Sequence, residues 1–137
     1  MTRSVLFLCT GNSCRSQMAE GWLRHLDGTR FEVASAGTHP VGLNPRAVTV
    51  MKEAGVDISR HRSKRVDELL GQRFDYVITV CNRAKETCPT FPGATSVLHW
   101  SFDDPADAQG EEEARLAVLR RVRDEIAQRV REFERYA

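Results

Sequence analysis

The sequence lacks a long hydrophobic run, and it lacks an excess of charge of either sign. A bilayer-spanning helix needs about 20 apolar residues, and the short apolar run at residues 4–9 has neither that length nor a signal-peptide cleavage site. Lysine and arginine number 20 against 19 acidic residues, so no overall field attracts nucleic acid or an anionic membrane. We therefore expect a cytoplasmic protein that recognises a small ligand through local groups.

The chain has four cysteines. In a reducing compartment such cysteines do not form structural disulfides. Four residues separate Cys9 from Cys14 and six separate Cys81 from Cys88, whereas zinc ribbons use a gap of two. The four histidines show no metal-ligand spacing either. We predict no metal site and no bound cofactor, and we interpret the thiols as catalytic or buried groups.

The pattern of apolar residues predicts a single domain over residues 1–137. Continuous apolar runs predict buried strands at residues 3–8, 31–36, 74–80 and 95–98. Helical periodicity and capping signals predict helices at residues 14–26, 45–55, 63–71, 82–88 and from 111 almost to the end, with Asn44 and Ser63 as caps of two of them. This alternation indicates an α/β fold, a three-layer domain in which helices flank a four-stranded parallel sheet.

One segment joins the first predicted strand to the first helix: Cys9-Thr10-Gly11-Asn12-Ser13-Cys14-Arg15-Ser16. Consecutive loop amides and a helix N-terminus bind anions, and an arginine adds a planar fork of donors. Such positive surroundings favour a reactive Cys9 thiolate, to which Ser16 is placed to donate a hydrogen bond. We predict that residues 10–16, the oxyanion loop, hold a tetrahedral oxyanion beside Cys9. A plain strand-to-helix turn with two buried cysteines is the alternative.

Two further groups follow predicted strands, as Cys9 does. Cys81 ends the third strand, and the turn Asp103–Pro105 comes after the fourth. Ligands of parallel sheets bind at the carboxyl ends of the strands, where all three groups would meet. Asp104 precedes a proline, which restricts its backbone to an extended form. We predict that Asp104 protonates the leaving oxygen when Cys9 attacks, and we interpret Asp103 as a turn residue.

Cys81 and Cys88 lie seven positions apart. In a helix their Cα atoms would be about 10.5 Å apart, whereas a disulfide needs about 4.4–6.8 Å. A disulfide between them therefore requires this segment to unwind or fold back. The alternative is one cysteine buried at a strand end and the other on a helix face.

These motifs together resemble the thioredoxin-coupled arsenate reductases, which are built on the fold of the low-molecular-weight tyrosine phosphatases. The resemblance covers essentially the whole chain, and the segments that carry it are Cys9–Trp22, Ser35–Gly37, Cys81, Cys88–Pro89 and His99–Ala106. The oxyanion loop alone would also fit a phosphatase. The pair Cys81 and Cys88 is the specific element.

The resemblance implies a relay of three thiols. Cys9 would attack arsenate while Arg15 clamps the oxyanion and Asp104 acts as the acid. Cys81 would then attack the adduct, release arsenite and leave a disulfide with Cys9, and Cys88 would carry that disulfide to the surface. The resemblance also implies a monomer that serves arsenic detoxification, with phosphate and sulfate as competing oxyanions and thioredoxin as the external reductant.

Two other functions stay open on the residues alone. A low-molecular-weight phosphatase would use Cys9, Arg15 and Asp104 without the distant thiols. A non-enzymatic module would use the thiols to bind zinc or arsenite. In the relay Cys14 has no task, and we interpret it as a first-turn residue open to off-path oxidation.

The family also has a potassium site near the loop, and one of its positions differs here. The matching residues are Asn12, Glu20, Ser35 and Lys64, and a lysine stands where the family has a carboxylate. An ammonium group there is placed to pair with Glu20 and take the place of the cation. We predict that the protein does not depend on potassium. A solvated charge beside neighbouring arginines is the alternative interpretation of Lys64.

Overall fold

The computed structural model describes residues 2–82 and 90–137. Strands β1 to β4 span Arg3–Cys9, Phe31–Gly37, Phe74–Thr79 and Ala94–His99. Helices α1 to α3 span Arg15–Asp27, Pro45–Glu53 and Glu112–Tyr136, and short 3-10 helices span Val66–Leu69 and Pro105–Asp107. The helix predicted for residues 82–88 lies outside the described residues except for Asn82. Among the described helices none has both the length and the apolar content to cross a membrane.

The four strands form one parallel sheet in the order β2-β1-β3-β4. Cys9 pairs with Gly37 on one side of β1, and Leu8 pairs with Thr79 on the other. All four carboxyl ends therefore lie at the same edge of the sheet. The predicted parallel sheet is confirmed. Its central strand β1 is buried on both faces from Val5 to Cys9, as a nearly continuous apolar run predicts.

The two faces of the sheet are covered differently. Side chains of Val5 and Phe7 point to the larger core, where they join buried residues of all three α-helices. Leu6 and Leu8 point to a smaller cluster on the opposite face, covered by the 3-10 helix at Val66–Leu69 and its neighbours. The predicted three layers are thus the three α-helices, the sheet, and the segment around Val66–Leu69 on the opposite face. The oxyanion loop lies at the carboxyl edge of the sheet.

One predicted helix cap is confirmed and one is wrong. Asn44 accepts a hydrogen bond from the Arg46 amide at 2.8 Å at the start of α2. Ser63 caps no helix: its hydroxyl accepts from the Gly42 amide and donates to the Gly11 carbonyl oxygen, each at 3.3 Å. The serine is used across the fold to support the oxyanion loop.

Candidate active site

The oxyanion loop turns its carbonyl oxygens outward. The carbonyl oxygens of residues 10, 11 and 13 accept amide hydrogens from residues 39, 41 and 44 at 2.9–3.1 Å. Gln17 Nε2 donates to the carbonyl oxygen of residue 12 at 3.1 Å, and the amide of residue 18 donates to that of residue 14 at 2.8 Å. Because a trans peptide points its N–H opposite to its C=O, the amides of residues 11–15 face the concave side. This side is the predicted oxyanion pocket.

The Cys9 sulfur lies on the floor of this pocket. Cys9 is 2% exposed. Its sulfur is 2.9 Å from Ser16 Oγ and 3.2 Å from the Asn12 amide nitrogen. Asn12 Nδ2 donates to the same Ser16 oxygen at 2.8 Å, so the Ser16 hydroxyl hydrogen is available for the sulfur. Two donors thus converge on the sulfur, which is the environment that stabilises a thiolate.

Asn12 holds the turn of the loop. Its φ of 46° lies in the left-handed region, which asparagine adopts more readily than most residues. Its fully buried side chain donates to Ser16 and Ser35 and accepts from the Lys64 amide and Gln17 Nε2, at 2.8–3.1 Å. Each polar atom of this amide is therefore satisfied, and the loop is anchored before any ligand binds.

Arg15 and Asp104 face each other across the pocket. The Arg15 side chain is buried, donates to the Phe102 carbonyl oxygen at 3.2 Å and lies 3.5 Å from Asp104 Oδ2. The other carboxylate oxygen of Asp104 accepts the Ala106 amide at 3.0 Å at the start of the short 3-10 helix. The acid predicted from the X-Pro pattern is thus held over the loop with its side chain 31% exposed.

Cys81 lies beside Cys9. It follows β3, is fully buried, and its sulfur is 4.0 Å from the Leu8 carbonyl oxygen. Because Leu8 pairs with Thr79, Cys81, two residues past the end of β3, lies next to the end of β1, whose last residue is Cys9. Cys88, the third predicted thiol, lies outside the described residues.

Cys14 is the cysteine within the oxyanion loop itself. It is buried directly before α1, and its sulfur has the Ser13 hydroxyl at 3.8 Å. Burial raises the pKa of the Cys14 thiol to about 12, against a small opposing effect of the Ser13 hydrogen bond. Cys14 is therefore a neutral thiol at physiological pH.

The residues of the predicted cation site are together, but their pairing corrects the expectation for Lys64. Glu20 binds Arg24 at 2.7 Å and accepts the Ser35 hydroxyl at 2.6 Å. The Lys64 ammonium instead donates to the Arg62 carbonyl oxygen at 3.1 Å. Burial lowers the pKa of Lys64, and nearby Glu20 opposes that shift. Glu20 is thus neutralised by an arginine four residues along its own helix, a pairing that the family pattern did not indicate.

Sequence reasoning assigned no role to His61, which the structure connects to the loop. Gln17 Oε1 is an acceptor at 3.0 Å from His61 Nδ1, and Arg24 donates to His61 Nε2 at 3.1 Å. His61 is therefore the neutral Nδ1–H tautomer. Gln17 in turn donates from Nε2 to Asn12 Oδ1, which links His61 to the loop. Burial lowers the pKa of His61, partly offset by Glu20. Because Gln17 and His61 are 44 residues apart, no local pattern could have revealed the pair.

An open cleft of about 490 Å³ lies over the loop. Its described lining contains no phenylalanine, tyrosine or tryptophan; it consists of Thr10, Gly11, Ser13, His39, Val41, Asn82, Asp103, Asp104, Ala106 and Asp107. Asp103 is more than a turn residue, since Asn82 Nδ2 donates to its carboxylate at 3.0 Å and Arg121 lies 3.4 Å away. Within the described residues no cluster of three or more His, Cys, Asp or Glu side chains is arranged for a metal ion.

Comparison with known proteins agrees with this geometry. The sequence profile of the low molecular weight phosphotyrosine protein phosphatases matches residues 4–136. A curated arsenate reductase of Halalkalibacterium halodurans is 51% identical over 129 residues, which cover 94% of this chain and 93% of that protein.

Solved structures show the same relationship. An arsenate reductase in the phosphate binding state superposes with a TM-score of 0.82 at 31% identity, covering 96% of each chain. A thioredoxin-dependent arsenate reductase of Corynebacterium glutamicum superposes with a TM-score of 0.71 at 30% identity, covering 98% of this chain and 61% of that one. The chain therefore belongs to the low molecular weight phosphotyrosine protein phosphatase family and, within it, to the arsenate reductases built on that fold.

Proposed function

We propose that this protein reduces arsenate to arsenite through Cys9, Cys81 and Cys88, with thioredoxin as the reductant. The observation that carries the proposal is the buried Cys81, whose sulfur lies 4.0 Å from the carbonyl oxygen of Leu8, the residue before Cys9. Hydrolysis of a phosphate ester by Cys9, Arg15 and Asp104 does not require a second thiol. The named activity of the relatives and the thioredoxin dependence of the C. glutamicum protein support the same proposal.

The first step uses the groups around the oxyanion loop. Arsenate binds to the inward amides and the Arg15 guanidinium, which draws Arg15 from Asp104 to the ligand. The Cys9 thiolate attacks arsenic, an S–As bond forms, and an As–O bond breaks. Asp104 gives its proton to the departing oxygen, which leaves as water. The solved arsenate reductase in the phosphate binding state supports the binding of a tetrahedral oxyanion by this fold.

The second step reduces arsenic. The Cys81 thiolate attacks the Cys9 sulfur, an S–S bond forms, and the electron pair of the S–As bond goes to arsenic. Arsenic thereby passes from the +5 to the +3 state and leaves as arsenite, while two thiols have supplied two electrons. The parallel pairing of β1 with β3, which brings the ends of both strands to one edge of the sheet, supports this step.

The third step restores Cys9. The Cys88 thiolate attacks the Cys81 sulfur, so that the disulfide moves to Cys81 and Cys88 and Cys9 leaves as a thiolate. Thioredoxin then reduces the second disulfide by the same exchange. A relay that ends on thioredoxin belongs in a reducing compartment, so we place the enzyme in the cytoplasm, with no bound cofactor.

The proposal is tested by arsenate-dependent oxidation of NADPH in the presence of thioredoxin and thioredoxin reductase. We expect turnover for the parent protein and loss of turnover for the variants C81S and C88S. The same variants should keep any hydrolysis of p-nitrophenyl phosphate, because that reaction needs only Cys9, Arg15 and Asp104. Unchanged arsenate turnover in C81S would contradict the relay, and stoichiometric zinc in the purified protein without turnover would favour a binding module.

A further inference from the structure

Asp103 joins three parts of the active site through one carboxylate. Oδ1 accepts a hydrogen bond from Asn82 Nδ2 at 3.0 Å, and Oδ2 lies 3.4 Å from a guanidinium nitrogen of Arg121 on α3. Asp103 itself directly precedes Asp104, the predicted acid. The carboxylate therefore ties the acid-bearing loop and the last helix to the chain just after Cys81.

The hydrogen bond between Asn82 and Asp103 lies just beyond the end of β3, where the main-chain hydrogen bonds of the sheet stop. The Val80 amide donates to the Leu8 carbonyl oxygen at 2.9 Å, while the strand itself ends at Thr79. On the other side of Cys81, the Asn82 side chain is bound to Asp103. Cys81 is thus bracketed by a main-chain bond before it and a side-chain bond after it.

We propose that Asp103, acting through Asn82, is a positioning residue for the attack of Cys81 on Cys9. The inference rests on the proposed function, since it concerns its second step. The sulfur–sulfur attack needs a near-linear approach over a short distance, so a small loss of alignment slows it. The first step does not use Cys81, so loss of the hydrogen bond between Asn82 and Asp103 should slow the second step far more than the first.

The two steps are separated by two reactions of the same full-length protein. The first reaction is a single turnover with arsenate in the C88S background, without thioredoxin, which should yield arsenite and the Cys9–Cys81 disulfide. The reaction is quenched with acid, and the disulfide is identified by mass spectrometry. Hydrolysis of p-nitrophenyl phosphate reports on Cys9 and the acid without Cys81. The variants are N82A, D103A and D103N, with D124A as a matched control because Asp124 is an exposed aspartate on α3 that pairs with Arg123 outside the cleft.

We expect N82A and D103A to form the disulfide three- to tenfold more slowly, the range for loss of one aligning hydrogen bond, while phosphate ester hydrolysis stays within about twofold. The double variant should be no slower than either single variant, because both remove the same contact. D103N should recover most of the rate, since its amide oxygen still accepts from Asn82, and D124A should match the parent.

Equal rates of disulfide formation in N82A and the parent would overturn the inference. So would an equal fall of both reactions in D103A without recovery in D103N, which would place Asp103 in support of the acid alone. If the C88S parent forms no Cys9–Cys81 disulfide with arsenate, the proposed function itself fails and the inference fails with it.

Discussion

Replacing Ser16 with alanine tests how the fold activates Cys9. The variant removes a hydroxyl 2.9 Å from the Cys9 sulfur and leaves Asn12 Nδ2 its second acceptor, Ser35 Oγ, at 3.0 Å. A hydrogen bond to a charged group contributes about 1.5–3 kcal/mol. At about 1.4 kcal/mol per factor of ten, we expect kcat/KM for arsenate to fall roughly 10- to 150-fold.

The assay pairs arsenate turnover with the rate of iodoacetamide alkylation of Cys9 at neutral pH, which needs no substrate. Both rates should fall in S16A. The matched control is S13A, because the Ser13 hydroxyl belongs to the same loop but bonds the sulfur of Cys14; we expect it to stay within about threefold of the parent. If S16A is as fast as S13A, the Ser16 hydroxyl does not stabilise the reacting thiolate and the reasoning is wrong.

Three further outcomes are expected. The melting temperature in potassium salts should equal that in sodium salts to within about 1 °C, and turnover should be the same in both. The reason is that Glu20 is already neutralised within the fold and that Lys64 stands where the family has a carboxylate. A gain specific to potassium would contradict this prediction. The pKa of His61 is lowered in the folded protein, so between that pKa and about 6.5 the folded protein binds fewer protons than the unfolded chain. The urea concentration at the unfolding midpoint should therefore fall as the pH drops through this window. H61N, whose amide still donates to Gln17, should flatten that part of the profile, and a parallel profile would refute the assignment. With a pKa of about 12, Cys14 should resist iodoacetamide at pH 8 until urea is added, as peptide mapping will show; rapid labelling of the native protein would count against its burial.

The features that are local in sequence were predictable. The strand Phe74–Thr79 is apolar and β-branched at most positions, and its last three residues, which face both sides of the sheet, are buried. Asn44 before Pro45 indicates a helix start within two residues. The oxyanion loop could be predicted for the same reason, since its nucleophile, its amides and Arg15 lie within one strand-loop-helix connection.

The contacts that depend on tertiary distance were not predictable. Ser63 reads as a helix cap, but its hydroxyl meets Gly11, 52 residues away. Lys64 has the right charge for Glu20, yet its ammonium turns to the carbonyl oxygen of Arg62. A short polar side chain bonds whichever partner the fold brings within 3 Å, and spacing along the chain does not encode that choice.

The outward carbonyl oxygens of the oxyanion loop have a consequence for how this fold diversifies. Residues 39, 41 and 44 hold the loop through their backbone amides, so the geometry of the pocket does not depend on which side chains those residues carry. The side chains of His39 and Val41 line the cleft without forming these hydrogen bonds. A substitution at either position would therefore change the entrance of the cleft while the backbone that shapes the anion cradle keeps its hydrogen bonds.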